Sequence, residues 1–187
     1  PPKKRNKYDI LSRKSSFYDD LNRFEESINE RKQALALAIE MDDKDRIVNS
    51  YNNLAISYTK TKDFYSAINS LNKVLEYDST SQYAAASYNN MGDTYMAMEA
   101  DEKALLFYQK SIDTYLQKDK FADLSENQML DRCRYQGDLM QAIISKIDFY
   151  KKKYSDTSEK NNLYRILEAV KMGDLLLEIL RSKSYEN

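Results

Sequence analysis

One nine-residue phrase occurs twice in this chain, at an interval that also governs the residues around it. The stretch SYNNLAISY covers 50–58, and SYNNMGDTY covers 87–95, which lies 37 residues later. Recurrence at a period of 20 to 50 residues is the sequence signature of a repeat architecture. The chain is therefore expected to fold as stacked copies of one structural unit.

Eight positions recur at this interval, four inside the phrase and four downstream of it. Tyr51, Leu54, Ala55, Tyr58, Ala67, Ile68, Leu71 and Leu75 recur as Tyr88, Met91, Gly92, Tyr95, Ala104, Leu105, Tyr108 and Ile112. Within each group the spacing is three or four residues, which is the period of one helix face. Each unit is predicted to be two helices joined by a short turn, near Lys62-Asp63 in the first unit and Glu99-Ala100 in the second.

The small residues of the pattern indicate where the two helices of a unit approach each other. Ala55 and Gly92 lie in the middle of the first helix, and Ala67 and Ala104 lie near the start of the second. Small side chains at both places let larger neighbours interdigitate as ridges into grooves. Because a glycine inside a helix costs about 1 kcal/mol relative to alanine, Gly92 indicates a close packing contact.

Composition favours an all-α fold and excludes several kinds of active site. The chain has three Gly and two Pro among 187 residues, and both Pro are the first two residues. With no His and one Cys, it lacks the residues for a His-dependent catalytic triad, a His-ligated metal site or a thiolate-rich zinc site. Only a site built from carboxylates remains open. We expect a non-enzymatic protein with no cofactor and no metal.

Charge and cysteine content bear on partners and location. The 29 basic and 30 acidic residues nearly balance, which weighs against a nucleic-acid surface. No apolar run approaches the roughly 20 residues that span a bilayer, so no membrane insertion is expected. The single Cys133 fits a reducing compartment, which favours the cytoplasm. Because the first residue is not Met, the N-terminus could be truncated, and a periplasmic location stays open.

The two units resemble the tetratricopeptide (TPR) repeat, whose pattern is W-x2-L-G-x2-Y, then A-x3-F-x2-A, then P. The matching positions are Tyr51 and Tyr88 for Trp, Leu54 and Met91 for Leu, Ala55 and Gly92 for Gly, Tyr58 and Tyr95 for Tyr, Ala67 and Ala104 for Ala, and Leu71 and Tyr108 for Phe. Two features depart from the pattern: Ser79 and Leu116 stand in place of the final Pro, and the period is 37 rather than 34. The resemblance implies a right-handed α-solenoid of antiparallel helix pairs.

Residues 1–187 are predicted to form a single domain of about eight helices, of which the last two are longer. Its predicted parts are a degenerate repeat at 7–41, repeats at 45–80 and 81–117, and a long C-terminal helix pair at 125–183. The degenerate repeat rests on Phe24, Ile28 and Leu35, which match Phe64, Ile68 and Leu75 at an interval of 40, although Arg31 replaces Leu71.

The C-terminal pair has a looser resemblance of its own. Residues 144–187 are similar to the helix pair that joins TPR arrays to the caspase-like CHAT protease domain in many bacterial proteins, including its LRxSY phrase, here LRSKSY at 180–185. This similarity implies a sensor or regulatory arm of a larger bacterial protein, with a catalytic domain beginning after Asn187. Two alternatives stay open: the extracytoplasmic TPR arm of a sensor kinase, and a nucleic-acid-binding helical repeat.

In TPR arrays the first helix of each repeat lines a concave groove that holds a protein or peptide partner. The resemblance places twelve positions along this groove. Nine of them are the predicted groove residues, namely Asn49, Asn52, Asn53, Ile56, Lys60, Asn89, Asn90, Asp93 and Met96, and the other three are Thr59, Ala86 and Ala97. Asn is a poor helix former, and its amide can hold a peptide backbone. The paired Asn are therefore expected to serve recognition and not folding, unless they simply face water. With only Lys60 as a cation, a clamp for a C-terminal carboxylate is not expected.

Overall fold

The computed structural model describes residues 2–78, 82–117, 136–157 and 170–174, together with 125, 128, 167 and 168. Its helices are α1 (Pro2–Asp20), α2 (Phe24–Glu40), α3 (Lys44–Lys60), α4 (Phe64–Tyr77), α5 (Gln82–Ala97), α6 (Asp101–Leu116) and α7 (Gln136–Thr157), and residues 170–174 are also helical. No strand occurs in these ranges, and the predicted all-α fold is confirmed. The LRSKSY phrase at 180–185 lies outside the described residues.

The helices stack as a solenoid of antiparallel pairs. Consecutive helices pack as α1/α2, α3/α4 and α5/α6, and the second helix of each pair packs on the first helix of the next. The first helices also contact one another, α3 with α5 and α5 with α7. Because each pair touches mainly its neighbours, the first helices of successive repeats form one continuous face.

The core is made by the positions that recur in the sequence. Ala55, Ala67, Leu71 and Met91 form one buried cluster between the two central repeats. Half-buried large side chains pack against it, namely Tyr58, Leu75, Tyr88, Tyr95 and Phe107. The next cluster joins Ala104 and Tyr108 of α6 to Phe149 and Tyr150 of α7. The recurring side chains that were predicted to pack between the helices therefore form the core.

Four of the helix connections have the same three-residue geometry. The middle residue is left-handed in each, with φ of 56° at Asn22, 52° at Asp42, 62° at Lys62 and 60° at Glu99. In the α5–α6 turn the amide of Ala100 donates to the carbonyl of Tyr95 at 2.9 Å, as in a Schellman motif. The predicted turns at Lys62 and Glu99 are thus the points where the chain reverses.

This geometry makes Glu99→Gly an expected stabilising change. A residue with a Cβ pays about 1 kcal/mol or more in the left-handed region, and glycine does not. We expect Glu99→Gly to raise the free energy of unfolding by up to about 1 kcal/mol in urea denaturation. The matched control is Ala36→Gly, on the exposed side of α2, which should lower it by about the same amount. Equal losses in both variants would contradict the turn geometry.

A polar network around Arg31 joins the two helices of the N-terminal repeat to each other and to α3 of the next repeat. Arg31 stands where the other repeats have an apolar side chain, and it is only 8% exposed. Its Nη2 donates to Asp19 of α1, and its Nη1 donates to the Ser57 hydroxyl and the Asn53 carbonyl of α3. The mismatch in the repeat pattern is therefore a polar link among three helices.

Among the helices of the described ranges, none is both long enough and apolar enough to cross a bilayer.

Candidate functional site

A cleft of about 490 Å³ opens between α3 and α5. Its lining comes from α3, the α3–α4 turn, the start of α4, and α5: Ile56, Thr59, Lys60, Lys62, Phe64, Asn90, Asp93, Met96 and Ala97. Three pairs in this lining are 37 residues apart, namely Ile56 with Asp93, Thr59 with Met96, and Lys60 with Ala97. The same face of both first helices therefore forms the cleft, which we call the α3–α5 cleft.

The structure brings five of the nine predicted groove residues to this cleft and leaves four outside it. Those in the lining are Ile56, Lys60, Asn90, Asp93 and Met96. Asn49 and Asn53 are exposed on α3 outside the lining, Asn89 is half-buried, and Asn52 is buried. The paired Asn thus separate into different environments.

Asn52 is a hydrogen-bonded link between repeats, whereas the sequence predicted that it would face the groove. Its side chain is 8% exposed. Its Oδ1 accepts a hydrogen bond from Ser87 Oγ at 2.8 Å and another from Asn90 Nδ2 at 3.3 Å. Because Ser87 is fully buried, its hydroxyl depends on this acceptor. Asn52 therefore joins α3 to α5 beside the cleft.

Asn89 occupies the equivalent position one repeat later without the equivalent partners. Its Oδ1 is buried and accepts no hydrogen bond from the described part of the chain. A buried acceptor without a donor carries a desolvation cost of about 1–3 kcal/mol. Two residues that are identical in the repeat thus lie in different hydrogen-bonding environments.

Replacing these two Asn in turn should separate the two roles. Asn52→Ala is expected to lower the free energy of unfolding by about 1–2 kcal/mol, because it leaves Ser87 without an acceptor. Asn89→Ala should leave stability equal or higher, because it removes an unpartnered oxygen and introduces a better helix former. Urea denaturation of both variants measures the difference. Equal stability of the two would contradict the inter-repeat link.

Asp93 is the carboxylate of the α3–α5 cleft. Its Oδ1 accepts a hydrogen bond of 2.7 Å from the hydroxyl of Tyr108, which also lies 3.7 Å from Met96 Sδ. Burial raises the pKa of Asp93 above its ordinary value, against the opposing effects of the Tyr108 hydrogen bond and the Lys60 charge. Burial, and then the charge of Asp93, raises the pKa of Tyr108. The Tyr108 hydroxyl therefore stays a proton donor at neutral pH.

The raised pKa of Asp93 has a consequence for stability. In the interval between its ordinary and its folded-state pKa, the folded protein binds a proton that the unfolded chain has released, so stability falls as pH rises through this interval. Asp93→Asn removes this cost and keeps an acceptor for Tyr108. We expect the variant to melt at a higher temperature than wild type at neutral pH, with the gain shrinking as pH falls below the folded-state pKa. Parallel melting-temperature profiles against pH would refute the assignment.

Several contacts of the site were not predicted from the sequence. Thr94 is buried, and its hydroxyl and that of Thr59 are 2.8 Å apart across α3 and α5. Tyr108 reaches Asp93 from α6, and Phe64 lines the cleft from α4. The signal that could have identified Tyr108 is its hydroxyl, at a position where the repeat has Phe or Leu.

No group of three or more Asp, Glu or Cys side chains within the described ranges is arranged to hold a metal ion.

Two segments match family models of the tetratricopeptide repeat. One match covers residues 48–81 and the other covers 84–117. These segments correspond to α3/α4 and α5/α6, the pairs that form the cleft. No curated protein matches the sequence of the chain significantly.

Three solved structures align with this chain over nearly its whole length. BtubC (BKLC) from P. vanneervenii has a TM-score of 0.61 at 20% identity, covering 95% of this chain and 64% of its own. This chain therefore spans less than two thirds of the length of BtubC. Two structures of a Podosopora anserina putative kinesin light chain with nearly identical TPR-like repeats, one of them a single-residue variant, have TM-scores of 0.49 and 0.48 at 15% identity. They cover 97% and 98% of this chain and 95% and 96% of their own.

The family follows from three findings that agree. The helix pairs α3/α4 and α5/α6 have the core and turns that the repeat pattern predicts. Both pairs match the family models, and the fold of BtubC extends over the chain. Stacked repeats of this kind form extended binding surfaces for protein partners. The chain contains two tetratricopeptide repeats, over residues 48–81 and 84–117, within a helical solenoid.

Proposed function

We propose that this chain is a non-catalytic interaction module that binds an extended peptide or protein segment in the α3–α5 cleft. The observation that carries the proposal is the composition of the lining. Ile56, Phe64, Met96 and Ala97 supply apolar walls, and a few polar groups converge between them. A concave apolar site with few polar groups is the usual form of a ligand pocket.

The polar groups of the cleft are held in place by neighbours that do not line it. Asn90 donates through Nδ2 to the buried Asn52, which leaves its oxygen as an acceptor for a peptide N–H. Asp93 is held by Tyr108 in the same way. Side chains fixed before binding lose less conformational entropy when a partner arrives, so this arrangement favours affinity.

We further propose that the module is a sensor or regulatory arm of a larger bacterial protein. The support is the pattern of residues 144–187 and its similarity to the helix pair that precedes CHAT domains. The complete open reading frame tests this directly. A caspase-like domain after residue 187 is the expected result. A membrane helix followed by a kinase domain would contradict this proposal and would indicate the arm of a sensor kinase instead.

Selection from a random-peptide display library tests the binding site. Peptides selected on the wild-type protein are labelled, and their dissociation constants are measured by fluorescence anisotropy for two variants. Ile56→Ser removes an apolar wall of the cleft, and we expect it to weaken binding about tenfold or more. Leu106→Ser is the matched control, because Leu106 is 52% exposed on α6 outside the lining; it should leave binding unchanged.

Thermal melting of both variants checks that a loss of binding does not come from a loss of folding. Ile56 is 39% exposed, so both changes should leave the fold intact and shift the melting temperature little. If every selected peptide binds Ile56→Ser as tightly as wild type, the cleft is not the binding site and the proposal is wrong.

A further inference from the structure

The α3–α5 cleft contains one carboxylate, and the described residues donate a hydrogen bond to only one of its two oxygens. Asp93 is the single acidic residue of the lining. Tyr108 donates to its Oδ1 at 2.7 Å, while its second oxygen accepts no hydrogen bond from any described residue. The Tyr108 ring is fully buried behind α5, so the hydroxyl fixes the direction of the carboxylate.

The lysines near the carboxylate do not neutralise it by contact. Lys60 lowers the pKa of Asp93 through its charge, but it is exposed, and within the described ranges no ion pair joins the two side chains. Lys62 lies in the turn after α3, at another part of the lining. A half-buried carboxylate without a contacting cation pays a desolvation cost that a cationic ligand can recover.

We propose that the cleft receives a single Lys or Arg side chain of its peptide partner, with the free oxygen of Asp93 as the counter-ion. This proposal rests on the proposed function and names the residue type that the cleft recognises. The methylene stem of such a side chain fits the apolar walls of Ile56, Phe64 and Met96, and its charged head reaches Asp93. Long basic side chains commonly pack their methylene groups on an apolar surface and keep the charged head in a polar environment.

The two rim lysines limit what can flank that residue. A run of basic residues in the partner would bring like charges toward Lys60 and Lys62, which is unfavourable. The partner sequence is therefore one basic residue with apolar or acidic neighbours. This requirement distinguishes the proposed partner from polybasic segments.

A double-mutant cycle with selected peptides tests the pairing. Peptides selected from the display library on the wild-type protein should share one basic residue at a fixed place. Replacing that residue in the peptide by norleucine should weaken binding about tenfold or more, and Asp93→Asn in the protein should do the same. The two changes together should cost little more than either alone, because each removes the same interaction. Glu102→Gln, an exposed carboxylate of α6 outside the lining, is the control and should bind every peptide as wild type does.

The outcomes separate this inference from the proposed function. Suppose that the selected peptides lose binding in Ile56→Ser but share no basic residue, or that they bind Asp93→Asn as tightly as wild type. Either result would overturn the role of Asp93 as counter-ion and would leave the cleft as the binding site. If no peptide responds to Ile56→Ser, the proposed function itself fails. A library selected in parallel on Asp93→Asn should lose the preference for a basic residue, and its persistence there would also overturn the inference.

Discussion

Gly92→Ala is expected to destabilise this protein, although a Gly-to-Ala change inside a helix ordinarily stabilises by about 1 kcal/mol. A Cβ at residue 92 would lie 2.5 Å from Cδ1 and Cε1 of Tyr108. The Tyr108 ring is fully buried and tied to Asp93 through its hydroxyl, so it cannot move aside freely. We expect a loss of about 1–3 kcal/mol in the free energy of unfolding, measured by urea denaturation.

Two other glycines provide matched controls. A Cβ at Gly137 would meet nothing within 4 Å, and one at Gly173 would be 3.8 Å from Ile143. Both lie in helical segments, so Gly137→Ala and Gly173→Ala should be neutral or stabilising. If Gly92→Ala behaves as these two do, α5 and α6 are not in the register described.

The preceding repeat supplies a rescue for Gly92→Ala. There the equivalent positions are Ala55 and Leu71, both fully buried in one cluster. Gly92→Ala combined with Tyr108→Leu copies that pair into the second repeat. The double variant should recover part of the lost stability, because the added methyl group now meets a smaller side chain. Recovery should be incomplete, since the hydrogen bond to Asp93 is lost.

Arg31→Leu is expected to be the other large loss. It places in the first repeat the residue type found at Leu71, but it leaves Asp19 without its cation and removes the hydrogen bonds that Arg31 donates to Ser57 and Asn53. Removing one partner of a buried pair typically costs 3–5 kcal/mol. Because the Asp19 side chain keeps 26% exposure, we expect about 3 kcal/mol in urea denaturation.

The loss of stability in Arg31→Leu should come from the Asp19 carboxylate, which no longer has a cation, and not from the leucine itself. Replacing both partners by apolar residues is often nearly neutral, so Arg31→Leu with Asp19→Leu should regain much of the loss. Breaking the exposed pair of Lys73 and Glu76 on α4 by Lys73→Ala should leave the free energy of unfolding nearly unchanged. A loss for Arg31→Leu as small as that would contradict the buried network.

The repeat pattern was sufficient to predict the fold because its positions are set by packing within one unit. The spacing of Leu54, Ala55 and Ala67 predicts two helices and the face on which they meet, and Lys62 was placed correctly in the turn. Arg31 appeared only as a mismatch, because its partner Asp19 lies on α1, whose register the repeat pattern did not fix.

The site was predicted less completely because it depends on contacts between units. Asn52 and Asn53 are neighbours in sequence but differ by about 100° around the helix axis, so one faces α5 and the other faces solvent. Asn89 repeats Asn52, yet its oxygen has no donor among the described residues. The two local sequences do not distinguish these environments, since the neighbours come from other helices.

The most direct test of binding in the α3–α5 cleft is a methyl NMR titration of the methionine-labelled protein with a selected peptide. The chain has seven Met. Met96 lines the cleft, whereas Met98, which is 42% exposed, and Met41 lie outside its lining. We predict that the Met96 methyl resonance, assigned by its loss in Met96→Leu, shifts on saturation, while those of Met98 and Met41 stay in place. An unshifted Met96 resonance at full occupancy would show that the partner binds elsewhere on the solenoid.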